Sequence, residues 1–295
     1  MAAVGVLGGG ALVGVGVARD DGAAGVLPLA GTFESPSASA SPSPTGPSPE
    51  ELAKAKRAAQ VKALDAALKK YAATVPEFSV AVLDKKTGQR YSFRGSETYE
   101  TASVVKVQVL ACLLLTAQGD DRDLTGTELS LARRMIRLSD NDATTSLFSR
   151  LGRAPAIQSC DRRLGLTQTK VNGSWGLTRT TVNDQVKLLS QLVAKTSPLD
   201  ADSRKLAFTL MSTVDEGQDW GVPAVAKAGE TTTVKNGWLA RSADNNLWII
   251  NTVGRVTGAG TDVSIAVLSH NNTSMSSGIT VVQKVAKLTR QYLKY

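Results

Sequence analysis

The stretch Ala102-Ser103-Val104-Val105-Lys106, continued by the apolar run 107–115, decides the reading of the chain. Between Val104 and Leu115 only Lys106 and Gln108 are polar, so a helix here is apolar on every face and belongs inside a domain. A lysine on a buried helix loses its hydration, which disfavours the charged amine and lowers its pKa. Ser103 stands three residues earlier, in the expected first turn and on the same helix face, so its hydroxyl and the Lys106 amine can meet. The unpaired N–H groups at the helix N-terminus add a positive dipole end suited to a developing oxyanion. A nucleophile beside a base is one reading of this spacing. A lysine that snorkels past an apolar helix to solvent is the other, so the partners of Ser103 and Lys106 must be sought elsewhere in the chain.

Of the 295 residues 42% are hydrophobic, enough for a sizeable core. The formal charge of +8 is unevenly spread: residues 1–50 hold Arg19 against Asp20, Asp21, Glu34 and Glu50, a net of −3, which leaves +11 for the rest. Lys and Arg do not cluster with interleaved aromatics, so no nucleic-acid partner is expected. The basic body reads as a solvated surface, attraction to an anionic cell envelope being the other use of its charge. Two cysteines, Cys112 and Cys160, and one histidine, His270, give neither a metal-ligand cluster nor a Cys/His catalytic pair, so no metal and no cofactor is expected. Cys112 lies on the apolar helix, where it either packs as a free thiol or, in an exported protein, pairs with Cys160.

Residues 1–18 are apolar and glycine-rich and stop at Arg19-Asp20-Asp21. The run is short for a membrane span, and small-x-small sites at Gly16-Val17-Ala18 and Gly22-Ala23-Ala24 suit cleavage, so residues 1–30 read as a signal peptide or an uncleaved N-terminal anchor. No cysteine lies there to carry a lipid. Residues 31–49 form a linker whose Ser/Pro-rich part, SPSASASPSPTGPSP over 35–49, cannot bury enough apolar surface to fold. Ser48-Pro49-Glu50-Glu51 then supplies an N-cap, a first-turn proline and a capping-box glutamate, so the folded domain is placed at 50–295.

Strands are expected as a hairpin over 78–83 and 89–93, and again over 231–239, 246–256 and 262–269. Helices are expected over 127–138, 142–151 and 180–193, and a last one carries Val281, Val285, Leu288 and Tyr292 on one face. Two strands, a block of helices, three strands and a closing helix make an α+β plan. Both ends of the chain then supply one five-stranded antiparallel sheet flanked by helices, with an all-helical subdomain of about 103–225 inserted between its parts.

Two clusters follow the Ser-x-x-Lys tetrad in order: Ser139-Asp140-Asn141 at a helix end, and Lys235-Asn236-Gly237 on an expected strand, with Trp238 next. Together the three resemble the motif set of class A β-lactamases and penicillin-binding proteins, over about residues 53–295. The resemblance implies the β-lactamase/transpeptidase-like fold and a role for each residue. Ser103 would attack an acyl carbonyl and hold the acyl group, and Lys106, when neutral, would take its proton. Ser139 would relay a proton to the leaving nitrogen, and Lys235 would orient Ser139 and attract the substrate's carboxylate. Asn141 would bond the substrate's amide, Asn236 and Gly237 would lie along the substrate, and the backbone N–H groups of Ser103 and Trp238 would form the oxyanion hole.

The implied protein is an exported active-site-serine hydrolase or acyltransferase. It would act outside the cytoplasm as a monomer, without cofactor, on small-molecule or peptide substrates: β-lactams or D-amino-acid amides such as cell-wall peptides. The alternative is a cell-wall-binding or β-lactam-sensing module of the same fold that does not turn over. Class A β-lactamases also carry a Glu-x-x-Leu-Asn motif whose glutamate activates the hydrolytic water. Residues 160–182 here contain Asp161 as their one acid and no such motif, which predicts a long-lived acyl-enzyme. Asn236 stands where the family has Thr or Ser, and the 36 residues from Ser103 to Ser139 predict a trimmed helical subdomain and an open cleft.

Overall fold

Residues 46–295 are described by a computed structural model. Among them are seven strands: β1 (Phe78–Asp84), β2 (Arg90–Phe93), β3 (Tyr99–Glu100), β4 (Arg179–Thr180), β5 (Thr231–Ala240), β6 (Trp248–Thr257) and β7 (Asp262–Asn272). Eight α-helices accompany them: α1 (Pro49–Ala72), α2 (Val105–Gly119), α3 (Gly126–Arg137), α4 (Asn141–Arg150), α5 (Arg153–Leu164), α6 (Val182–Gln191), α7 (Ala201–Met211) and α8 (Met275–Leu293). The expected α+β plan is what forms. Five strands make one antiparallel sheet in the order β2-β1-β7-β6-β5, with β1 from the early chain beside β7 from its end, while β3 and β4 pair separately.

Side chains on a strand alternate between faces, and here the two faces feed two cores. Phe78, Val80 and Val82 of β1, with Ile265 and Val267 of β7, meet Leu64 and Leu68 of α1 and Val281, Val282 and Val285 of α8. Ala81 and Leu83, with Ala266 and Leu268, turn the other way onto the helical block. The axis of that block is α2, every residue of which from Val105 to Leu115 is buried. By length and composition Ala102–Gly119 could cross a membrane, yet it is wrapped by the chain's own apolar side chains. Truncating one of its fully buried leucines, such as Leu110, to alanine would cost about 2–5 kcal/mol.

Helix α1 starts as its sequence dictates: Glu51 N donates to Ser48 Oγ at 3.2 Å and Ser48 N donates to the Glu51 carboxylate at 2.7 Å, with Pro49 opening the first turn. Cys112 on α2 and Cys160 on α5 are joined by a disulfide, which decides between the two states the sequence leaves open. Helices α5 and α7 are additions to the sequence reading. The first is bracketed by Gly152 and Gly165, both left-handed with φ of 95° and 75°, and the second is capped by Asp200, whose carboxylate accepts from Ser203 N at 2.7 Å. The signal or anchor expected over 1–30, and the linker up to residue 45, lie outside the described residues.

Candidate active site

Ser103 does not stand in the first turn of α2. It sits in a short 3-10 turn, Ala102–Val104, immediately before that helix, with Ala102 left-handed at φ 45°. Two features hold the turn against the sheet. Asn251 of β6 donates to the carbonyls of Glu100 at 2.8 Å and Thr101 at 3.0 Å. Gly237 of β5 passes so close that a Cβ there would fall 2.8 Å from both Ser103 N and Thr101 O. Glycine is needed at 237 for space, since nothing larger lets the β5 backbone reach the serine turn.

The second motif lies between α3 and α4. Ser139 is left-handed at φ 56°, Asp140 caps α4 by accepting from Ala143 N at 2.9 Å and pairs with Arg134 at 2.8 Å, and Asn141 opens the helix. Strained backbone at both Ala102 and Ser139 marks residues whose placement the surrounding fold dictates. Lys106 and Lys235 are both fully buried and converge on Ser139. The Lys106 amine donates to Ser139 O at 2.6 Å, Ser139 Oγ at 3.1 Å and Asn141 Oδ1 at 2.9 Å. The Lys235 amine donates to the same Ser139 Oγ at 3.0 Å, to Gln218 Oε1 at 3.2 Å and to Asn236 O at 2.9 Å.

Burial pushes the Lys106 amine down to about 8, opposed by the nearby Asp140 carboxylate. Lys235 is driven well below the ordinary lysine value, first by burial and then by the charge of Lys106. Two amines sharing one hydroxyl in a dry site cannot both hold their protons cheaply, so they titrate as a pair. A hydroxyl set between them is placed to pass protons from one side of the site to the other.

Ser103, Asn141 and Trp238 line a cleft of about 500 Å³, to which Phe148, Trp175 and Leu177 add apolar lining. The Trp175 ring lies 5.1 Å from the Lys106 amine and its indole N–H donates to Thr145 Oγ1 at 3.2 Å. No aspartate or glutamate is among the residues lining this cleft. Sequence reasoning missed Asn251, Gln218 and Trp175. The first two are recognisable only through partners distant in sequence, and the third lies in the polar stretch Asn172-Gly173-Ser174-Trp175-Gly176, which has no periodicity to read.

Two expectations are corrected. The Lys106 amine spends its three hydrogen bonds on Ser139 and Asn141, and among the described residues none joins it to Ser103 Oγ. Asn236 does not face the cleft: it shares its strand face with Val234, is 1% exposed, and donates to the carbonyls of Gln218 at 2.7 Å and Trp220 at 3.0 Å. Its amide ties the 218–220 segment to β5 instead of gripping a substrate. Asp161, the one acid of residues 160–182, is fully buried on α5, where burial pushes it up to about 7 and Gln108 Nε2 donates to both its oxygens at 2.7 Å. It is not part of the cleft lining.

Residues 126–293 match the family model described as the beta-lactamase enzyme family, a span that includes Ser139 and Lys235 and begins after Ser103 and Lys106. Over 169 residues the chain is 30% identical to a candidate lipoprotein, LppW, of Mycobacterium tuberculosis (strain ATCC 25618 / H37Rv) and of Mycobacterium bovis, covering 55% of this chain and 54% of theirs. The chain thus spans about half the length of the curated relatives it matches. Among solved structures, an ancestral class A β-lactamase superposes with a TM-score of 0.67 at 21% identity, covering 77% of this chain and 99% of that one. The class A β-lactamase from Mycobacterium abscessus does so with a TM-score of 0.66 at 19% identity, covering 80% and 100%. These likenesses show the fold.

Proposed function

Because the chain belongs to the beta-lactamase enzyme family, we propose that it is an active-site-serine hydrolase or acyltransferase in which Ser103 forms an acyl-enzyme with β-lactams or D-amino-acid amides. One observation carries the reading: the Ser139 hydroxyl accepts from both buried amines, at 3.1 and 3.0 Å, beside the turn that presents Ser103 to the cleft.

The three donor bonds of Lys106 belong to its charged form, since only an ammonium has three N–H groups. On losing a proton the amine must give up one of them, and the lone pair so exposed is what Ser103 Oγ–H needs as it attacks. Ser139 then hands a proton to the leaving nitrogen, resupplied across the hydroxyl it shares with Lys106 and Lys235. The backbone N–H groups of Ser103 and Trp238 take the developing oxyanion, a donor of this kind being worth on the order of a hundredfold or more in rate. Lys235, or the field of the pair, draws the substrate's carboxylate, and Asn141 on the lining bonds its amide.

With no carboxylate lining the cleft, the acyl-enzyme is expected to clear slowly. The apolar residues 1–18, the Ser/Pro linker and the relatives described as candidate lipoproteins support action outside the cytoplasm, with residues 1–30 as signal or anchor. A second reading, a cell-wall-binding or β-lactam-sensing module without turnover, draws its support from that same missing acid and from Asn236 turning away. Intact-mass measurement after incubation with a labelled penicillin separates the two. A slowly clearing adduct on Ser103, absent in Ser103→Ala, is expected; no adduct with penicillins or D-alanyl thioesters would favour the module.

A further inference from the structure

Of the residues lining the cleft, Arg153 at the start of α5 is the one that carries a charge. Lys106 and Lys235 lie fully buried behind the lining, whereas Arg153 is exposed and, among the described residues, makes no ion pair. Two local rules run against an arginine at this position. Its backbone is left-handed at φ 60°, directly after Gly152 at φ 95°, a conformation that an L side chain disfavours and glycine does not. A cation in the first turn of α5 also faces the positive end of the helix dipole, at an N-terminus where Gly152 supplies no side-chain cap. Neither the helix nor the turn gains from the side chain, and residues that break local rules in this way concentrate where a fold serves a ligand.

We infer that Arg153 gives the cleft a subsite for a carboxylate at the far end of an acyl donor's side chain; the inference rests on the serine reading of the same cleft. The guanidinium is a planar fork of donors that matches a carboxylate with two parallel bonds. Phe148, Trp175 and Leu177 supply apolar wall on the same lining, which suits a short run of methylenes leading out to the anion. A cleft of about 500 Å³ has room for both ends of such a donor. The preferred substrate class is therefore an acyl donor, such as a D-alanyl ester or amide, whose side chain or N-acyl substituent ends in a free carboxylate.

The test uses two D-alanyl thioesters alike in shape: one N-glutaryl, with a free distal carboxylate, the other N-glutaramoyl, its neutral amide. In each, the bond from Ser103 Oγ to the carbonyl carbon forms as the C–S bond breaks, and the serine proton leaves with sulfur as free thiol, so thiol release and the mass gained by the protein report the same step. The second-order acylation rate should favour the carboxylate ester by on the order of tenfold, as a charge-assisted hydrogen bond provides. That ratio should fall to about one in Arg153→Gln, and also in Arg153→Gly, whose backbone suits this position and which serves should the glutamine variant fold poorly. Equal wild-type rates for the two esters, or a ratio that survives both substitutions, would overturn the subsite while leaving the serine reading intact. Absence of a Ser103 adduct with either ester would remove the serine reading, and the subsite with it.

Discussion

Raising the pH from 7 to 9 is expected to speed acylation of Ser103 about tenfold. The Lys106 amine releases its proton near 8, and only the neutral amine can accept one from the serine. At that value about one amine in eleven is neutral at pH 7 and about ten in eleven at pH 9. The charged groups that face it are Asp140, which holds the value up, and Lys235, bonded to the same Ser139 hydroxyl, so the inflection observed will be that of the coupled pair. Stopped-flow acylation by a chromogenic cephalosporin between pH 6 and 9.5, at constant ionic strength, measures it. Lys106→Ala should lose both the inflection and on the order of a hundredfold or more in rate. A wild-type rate that is flat over this range, or that falls as pH rises, would refute the amine as base.

The same shift has a counterpart in stability, with its sign fixed by proton binding. The unfolded chain keeps this proton up to 10.5 and the folded chain releases it near 8, so between those values the unfolded state binds more protons and stability rises with pH. Between pH 7 and 9 the gain attributable to Lys106 is roughly 1.3 kcal/mol. Urea unfolding of the wild type and of Lys106→Met at both values should differ by about this much, the variant showing the smaller rise.

Gly237→Ala would place a Cβ 2.8 Å from backbone atoms of Thr101 and Ser103, and a cost of about 1–3 kcal/mol is expected as the serine turn is pushed from β5. Thermal unfolding and the acylation rate should both fall, and wild-type values of each would refute the close approach. Cys160→Ser removes a crosslink spanning 48 residues, for which loop entropy gives up to about 4 kcal/mol. Urea unfolding should show a loss of that order, and reductant should bring the wild type to the same midpoint.

What the sequence makes legible is what repeats or what must be buried. The continuous apolar runs 80–83 and 265–268 announce strands buried on both faces, and the unbroken apolar run of α2 announces its interior place. Helix α5 hides because its few large apolar residues are scattered among polar ones and its boundaries, Gly152 and Gly165, are ordinary glycines until their left-handed φ is known. Motif order brings Lys106, Ser139 and Lys235 together correctly as a set, but no spacing reveals that the Lys106 amine turns to Ser139 and Asn141. Those bonds depend on a left-handed residue 33 positions away. The orientation of Asn236 could have been read from the strand period: if Lys235 faces the site, its neighbour must face the opposite core.

The missing acid bears on both halves of the proposed reaction. The stretch that would carry a water-activating carboxylate instead sets Trp175 against Thr145 and the Lys106 amine. Asp161 cannot substitute for that carboxylate, because it is buried against Gln108 beside the disulfide and lies apart from the cleft lining. Of the groups around Ser103, the remaining bases are the two amines joined through Ser139. If water is the acceptor, the amine that has just relayed the serine's proton must be neutral a second time to activate it. Deacylation then shares the alkaline rise of acylation instead of showing the acidic limb of a carboxylate. An acyl group held longer at pH 7 than at pH 9 is thus the consequence of giving two proton transfers to one buried amine.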